Sequence, residues 1–151
     1  MRLVEDDLSC RRVQALIELH VKEARGNSPP GQSFALDIEG LRTPDMTFWS
    51  AWEGDDLMGC CALKQLSPTH GELKSMRTSP DHLRKGVGRG LLDHVVSVAR
   101  SRGYARLSLE TGALLGYAAA ISLYHHYGFV KGETFAGYEN SDFNQCFHLD
   151  L

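Results

Sequence analysis

The stretch Leu83 to Leu92, LRKGVGRGLL, carries the residue types needed to hold phosphate oxygens. Gly86, Gly88 and Gly90 alternate with Val87 and Arg89, and Arg84, Lys85 and Arg89 supply positive charge. Alternating glycines permit a turn that gathers successive backbone N–H groups on one concave side, and such nests bind anions. An apolar helical pattern begins directly behind the turn. Its free N–H groups and the positive end of its dipole point the same way. Two other phosphate loops are excluded. A P-loop needs Lys-Ser or Lys-Thr at its end, where Leu91-Leu92 stand, and the third glycine of a dinucleotide fingerprint would fall on Leu91. A glycine-rich turn that merely starts a helix is the plainer alternative, and the flanking elements must decide between them.

Those elements form a strand, loop, helix, strand series. Glu72 to Thr78 (ELKSMRT) reads as a strand that runs through Ser79-Pro80 into the loop. Leu91, Leu92, Val95, Val96, Val98 and Ala99 give the following helix one apolar face, ended at Gly103. Ala105 to Glu110 (ARLSLE) alternates as a strand does, with Leu107 and Leu109 on one face. This is a βαβ unit, which predicts parallel pairing of its two strands.

The rest of the chain frames that unit. Met1 to Val4 suggests a first strand, and helices are expected at about Cys10 to Ala24 and Ser33 to Leu41. Met46 to Glu53 and Leu57 to Leu63 form a hairpin about Gly54-Asp55-Asp56, and Ser67 to Gly71 a loop. Tyr117 to Tyr127 reads as a helix stopped by Gly128. Phe129 to Thr134 and Asn144 to Leu149 close the chain as strands. The class is α/β, a mixed sheet with helices on its faces, in a single domain over residues 1–151.

Composition narrows the function. At 151 residues the chain suits one domain with a proper core. A net charge of −3 argues against a general nucleic-acid surface, so the basic cluster in the loop is local, as a small anionic ligand requires. There is no run long enough to span a membrane and no signal pattern. Cys10, Cys60, Cys61 and Cys146 form no Cys-x-x-Cys pair, and they read as reduced thiols in a cytoplasm. The seven histidines show no metal spacing, and no metal is expected.

Three blocks together resemble the Gcn5-related N-acetyltransferase (GNAT) family. The loop is similar to its Gln/Arg-x-x-Gly-x-Gly/Ala pattern, with Gly86 and Gly88 as the glycines and Leu83 departing at the first position. Arg84 could supply the missing charge. Ala120 to Phe129 (AISLYHHYGF) is similar to the family's last helix, and Tyr124 falls on its tyrosine. ELKSMRT resembles the family's fourth strand. With RLSLETG it also resembles a bacterial subgroup often labelled indole-acetate acetyltransferases. The resemblance implies about six to seven strands, about four helices and acetyl-CoA as co-substrate. The backbone of Met76, Arg77 and Thr78 would pair with the pantetheine arm. Arg84, Lys85, Gly86, Val87, Gly88, Arg89 and Gly90 would hold the pyrophosphate, and roughly Asn27 to Leu41 would wall the acceptor site.

Acetyl transfer to an amine needs a held thioester, a base for the ammonium proton, and help for the leaving thiolate. Backbone N–H groups near Met76 would stabilise the oxyanion. The resemblance implies Glu72 as the base, with Glu110 in SLETG as its rival, and Tyr124 as the group beside the sulfur. Trp49, Trp52, Phe135 and Tyr138 are candidates for the acceptor pocket. An aromatic wall suits an amino acid, arylalkylamine or aromatic acid better than a polycation. The expected partner is a small-molecule amine, not nucleic acid or membrane, and a homodimer is an assembly common among such proteins. A non-catalytic acyl-CoA-binding regulatory module and a protein or peptide N-terminal acetyltransferase stay open as other classes.

Overall fold

The structure, a computed structural model, describes all residues from Met1 to Leu151. One sheet of seven strands runs through it: β1 (Arg2–Glu5), β2 (Met46–Glu53), β3 (Asp56–Ser67), β4 (His70–Thr78), β5 (Arg106–Gly112), β6 (Val130–Gly132) and β7 (Asn144–Asp150). Their order across the sheet is β1-β2-β3-β4-β5-β7-β6. Only β4 and β5 pair in parallel, as the βαβ reading requires, and every other neighbour is antiparallel. Three α-helices cover the faces: α1 (Arg11–Gly26), α2 (Val87–Ser101) and α3 (Ala118–Tyr127). No helix is long and apolar enough to cross a membrane.

Alternation along the strands sorts the side chains between two cores. On one face Leu63, Leu73, Leu107, Leu109 and Phe147 meet Leu91, Leu92, Val95 and Val96 of α2. On the other, Phe48, Cys60 and Ala62 meet Val13, Leu16 and Ile17 of α1.

The structure departs from the sequence expectations in three places. The helix expected over Ser33 to Leu41 does not form, and the helical count is three α-helices with three short 3-10 turns rather than four. Here the Asp37 carboxylate accepts from the Gly40 N–H at 2.9 Å, a local bond that competes with a helix. Leu36, Ile38 and Leu41 pack against the α1 core from this irregular segment and the 3-10 turn that ends it instead. The loop expected at Ser67 to Gly71 shrinks to a tight turn, because β3 runs to Ser67 and β4 starts at His70. The last strand of the βαβ unit continues through Thr111 to Gly112, where it pairs with Asn144.

Candidate active site

The parallel pairing of β4 and β5 is short. It holds His70, Gly71 and Glu72 against Arg106, Leu107 and Ser108, and then stops. From Leu73 and Leu109 onward the two strands diverge and leave a cleft. Its walls are Leu73–Met76 of β4, Leu109–Gly112 of β5, Tyr117, Ala120 and Tyr124 from the third helical region, His20 and Ala24 of α1, and residues 32–36. The enclosed part measures about 120 Å³. A larger surface hollow, about 680 Å³, lies between α1 and residues 37–42. None of the phosphate-loop or splayed-strand residues lines it, so its size does not make it the centre of the chemistry.

A bulge shapes the β4 wall. Cys60 pairs with Arg77 and Ala62 with Lys74, so Ser75 and Met76 together face the single Cys61. Ser75 takes a left-handed φ of 51°. Such a bulge re-aims side chains and interrupts the ladder. The Ser75 carbonyl accepts from the Cys60 thiol at 3.4 Å, while its Oγ is buried without a partner beside the cleft. Burial pushes the Cys60 thiol up to about 12 and raises Cys61 as well, which leaves both as inert thiols.

Beyond β4 the chain turns into α2. Arg84 and Gly86 adopt left-handed φ values of 61° and 80°. The helix starts at Val87, and its first internal bond runs from the Gly90 N–H to the Gly86 carbonyl. No side chain caps this end, so the N–H groups of Val87, Gly88 and Arg89 lack helical acceptors. The turn expected over three alternating glycines is therefore confined to Gly86. Gly88 and Gly90 lie inside the helix, where a Cβ at Gly88 would meet the tip of Leu123 (Cδ2 at 2.8 Å) and one at Gly90 the tip of Met1 (Cε at 2.5 Å), both ends of flexible side chains that can give way. Arg84, Lys85 and Arg89 are exposed around this end. Arg89 pairs with Asp93 at 3.6 Å and stacks over the Tyr127 ring at 4.6 Å. Arg77, by contrast, points its guanidinium at Glu23 of α1, 2.5 Å away, and leaves only its backbone for a ligand. Thr78 ends the strand beside Gly88.

The carboxylates divide by position. Glu72 is only 1% exposed and does not reach the cleft wall. Its Oε2 accepts from Tyr138 OH at 2.7 Å and lies 3.2 Å from Lys74 Nζ, which also donates to Tyr138 OH at 2.7 Å. Burial first, then Glu72, raises the Tyr138 phenol above its usual range, so the hydroxyl keeps its proton. Tyr138 thus ties Glu72 and Lys74 together behind the wall. Glu110 does line the cleft. Burial pushes its carboxyl up to about 7, with Lys74 opposing and Glu72 assisting.

Tyr124 is 7% exposed, edge-on to Phe129 at 5.8 Å, and lines the cleft. Burial alone raises its phenol, with no hydrogen-bonding partner contributing. Trp49 is a correction. It is 5% exposed in the α2-side core, edge-on to His94 at 4.9 Å, and does not border the cleft. Trp52 is held elsewhere too, beneath Arg12. Aromatic character comes instead from Phe34 at the cleft, 5.4 Å from Tyr138. Phe135 packs behind it, 5.2 Å from Tyr138 and 5.7 Å from His148.

Three groups escaped the sequence reading. Lys74 was an ordinary strand lysine, Ser75 gave no sign of a bulge, and His20 sat in an amphipathic helix. Burial pushes His20 down to about 4, so it faces the cleft as a neutral imidazole. At the closed end of the strand pair, His70, Ser108 and His148 form a chain of 2.7 Å contacts that ends on the Glu133 carbonyl. With His148 as the neutral tautomer that donates from Nε2 to that carbonyl, its Nδ1 accepts from Ser108, which accepts in turn from His70.

A sheet split beside an uncapped helix end is the arrangement expected, from the resemblance of the sequence, for an acyl-CoA-dependent acyltransferase. The sequence matches the profile of the Acetyltransferase (GNAT) family over residues 13–129, and the chain belongs to that family. Among individual proteins, it is 51% identical over 138 residues to the uncharacterized N-acetyltransferase YsnE of Bacillus subtilis, covering 91% of each chain. It is 32% identical over 111 residues to the IAA acetyltransferase of Azospirillum brasilense, covering 73% of this chain and 71% of that one. Its fold superposes on a GNAT family acetyltransferase from Elizabethkingia anophelis with acetyl-CoA bound, at a TM-score of 0.73 and 18% identity, covering 99% and 97% of the two chains.

Proposed function

We propose that the protein acetylates a small primary amine by direct attack on acetyl-CoA, with Glu110 as the base. The observation that carries this reading is the position of Glu110: on the cleft wall, with a carboxyl raised to about 7, while Glu72 is buried and bonded behind it. A base works best when its pKa lies near the working pH. Glu110 accepts the ammonium proton, and the amine nitrogen attacks the thioester carbon. The tetrahedral intermediate collapses: the C–S bond breaks, CoA leaves as a thiolate, and the extra proton on the former amine nitrogen passes to solvent.

The cofactor binds in three pieces. The unpaired edge of β4 at Met76, Arg77 and Thr78 offers main-chain groups to the pantetheine arm. The free N–H groups of Val87, Gly88 and Arg89 take the pyrophosphate, with Arg84, Lys85 and Arg89 around them. The bulge interrupts pairing at Ser75 and Met76, and a backbone N–H freed there is the donor this reading assigns to the thioester oxygen, where the oxyanion forms. Tyr124 donates a hydrogen bond to the departing sulfur. Its raised pKa makes full proton transfer to a thiolate, whose conjugate acid lies at about 8.5, unfavourable. It stabilises the thiolate without giving up its proton.

Thermal unfolding with and without CoA tests the cofactor half of this reading. At about one hundred times its dissociation constant a ligand adds roughly 2.7 kcal/mol, a rise of several degrees. An acetyl-CoA thiol-release assay over amines tests the other half. An unchanged melting midpoint at millimolar CoA overturns the reading.

A further inference from the structure

The charges around the cleft are already committed, and this limits what the acceptor carries beside its amine. Lys74 is the cation that lines the cleft, and its Nζ is spent on Glu72 Oε2 and Tyr138 OH. Arg77, on the same strand, is spent on Glu23 at 2.5 Å. His20 is neutral. The other polar groups on the wall are neutral or negative: the buried and unpartnered Ser75 Oγ, the side chains of Gln32 and Ser33, and the Glu110 carboxyl, whose one side-chain hydrogen bond comes from the neutral amide of Asn144. With Glu72 and Glu110 set against Lys74, the site carries one carboxylate in excess. An entering ammonium is favoured. An entering carboxylate meets no free cation and gives up its water without compensation.

We propose that the acceptor is an amine whose neighbouring groups are uncharged, an arylalkylamine or amino-acid amide, and that the cleft rejects free α-amino acids. This rests on the acetyltransferase reading above and names the acceptor of that same site. The neutral groups Ser75, His20 and Gln32 suit an amide or hydroxyl, which both donates and accepts. Phe34 at the cleft supplies the aromatic contact. A site built from hydrogen-bonding groups discriminates strongly against an analogue that cannot use them.

The test compares phenylalanine amide with phenylalanine, adds phenethylamine as the amine without either group, and expresses each kcat/KM per concentration of neutral amine, because the carboxylate also raises the pKa of its neighbouring amine. Acetyl-CoA-dependent thiol release is measured with the whole protein. The expected kcat/KM for the amide exceeds that for the acid by roughly a hundredfold or more. Glu72→Gln removes the carboxylate that holds Lys74, and the gap should narrow by about tenfold as the ammonium is released toward the cleft. If that variant does not fold, the wild-type ratio decides alone. Equal rates for acid and amide overturn the proposal and leave the acetyltransferase reading intact. So does a protein that binds CoA and turns over neither the amide nor phenethylamine. Failure of the reading beneath it is separate: it shows as no CoA-dependent stabilisation.

Discussion

The strands β4, β5 and β7 present opposite chemistry on their two faces, one residue apart. Leu73, Leu107, Leu109 and Phe147 point to α2 and join its apolar core. Glu72, Ser108, Glu110, Cys146 and His148 point the other way. In an ordinary half-exposed sheet the polar set would be solvated, and its charges would behave as they do in water. Here α1 and the segment after β6 cover it, so the polar face is buried too. That second burial raises Glu110 and Tyr138 and forces Glu72, Lys74 and Tyr138 into one bonded group. One face of the sheet therefore supplies stability. The other holds groups that cost stability, and the proposed chemistry draws on them.

Glu110→Gln should break this contrast most sharply. If the carboxylate is the base, kcat/KM falls by about 10²–10⁴ and the wild-type rise in rate through about pH 7 disappears. Stability should move the other way. The folded state holds the Glu110 proton more tightly than the unfolded chain, whose carboxyl titrates near 4.5. Its contribution is therefore full below that value and is lost as pH rises through about 7. Gln removes the penalty, so the variant should gain on the order of 1–3 kcal/mol at pH 8 and almost nothing at pH 4. Urea unfolding at the two pH values reads this directly. A variant that is inactive and also less stable at pH 8 would mean that Glu110 is structural.

On the α2 face the expectation is reversed. Leu107 is fully buried, between the polar Arg106 and Ser108. Leu107→Ala should cost about 2–5 kcal/mol in unfolding free energy and leave kcat/KM of the folded protein nearly unchanged. A loss of activity greater than the loss of folded protein would show that the two faces are coupled through the strand.

The legible parts of this molecule were those written in short-range patterns. The turn into α2 could be read because Gly86 and the basic residues are adjacent in sequence. The parallel pair was implied by the length of its crossover. The α2 face followed from Leu107 and Leu109 in alternation. The partners of Glu72 were not legible, because Tyr138 comes from a loop 66 residues away and nothing local marks it. Glu72 and Glu110 look alike in sequence, both on strands with apolar neighbours, and only the covering elements separate a carboxylate tied to a lysine and a phenol from one that lines the cleft. Trp49 misled for the same reason: an aromatic in a strand lies on one face or the other, and the hairpin alone does not say which helix will cover it.

The smallest effect tests whether the α3 tyrosine belongs to the chemical face or merely packs. Tyr124 and Tyr127 are neighbours on one helix, and both contact Phe129, at 5.8 and 6.3 Å. Their hydroxyls differ. Tyr127 OH donates to Asp93 at 2.8 Å on the exposed side of α2, while Tyr124 faces the cleft with no partner contributing to its raised pKa. Removing the Tyr127 oxygen leaves the cleft untouched. Removing the Tyr124 oxygen takes away a donor that has something to bond only when a thiolate departs. Benefit confined to the transition state lowers kcat and kcat/KM together and leaves CoA affinity alone. A thiolate is already a good leaving group near neutral pH, so Tyr124→Phe should cost roughly ten- to a hundredfold, at the low end of the acid–base range. Tyr127→Phe should cost much less. Steady-state kinetics with CoA binding measured in parallel decide the matter: equal, trivial losses in both variants would make Tyr124 a packing residue and leave the sulfur to solvent.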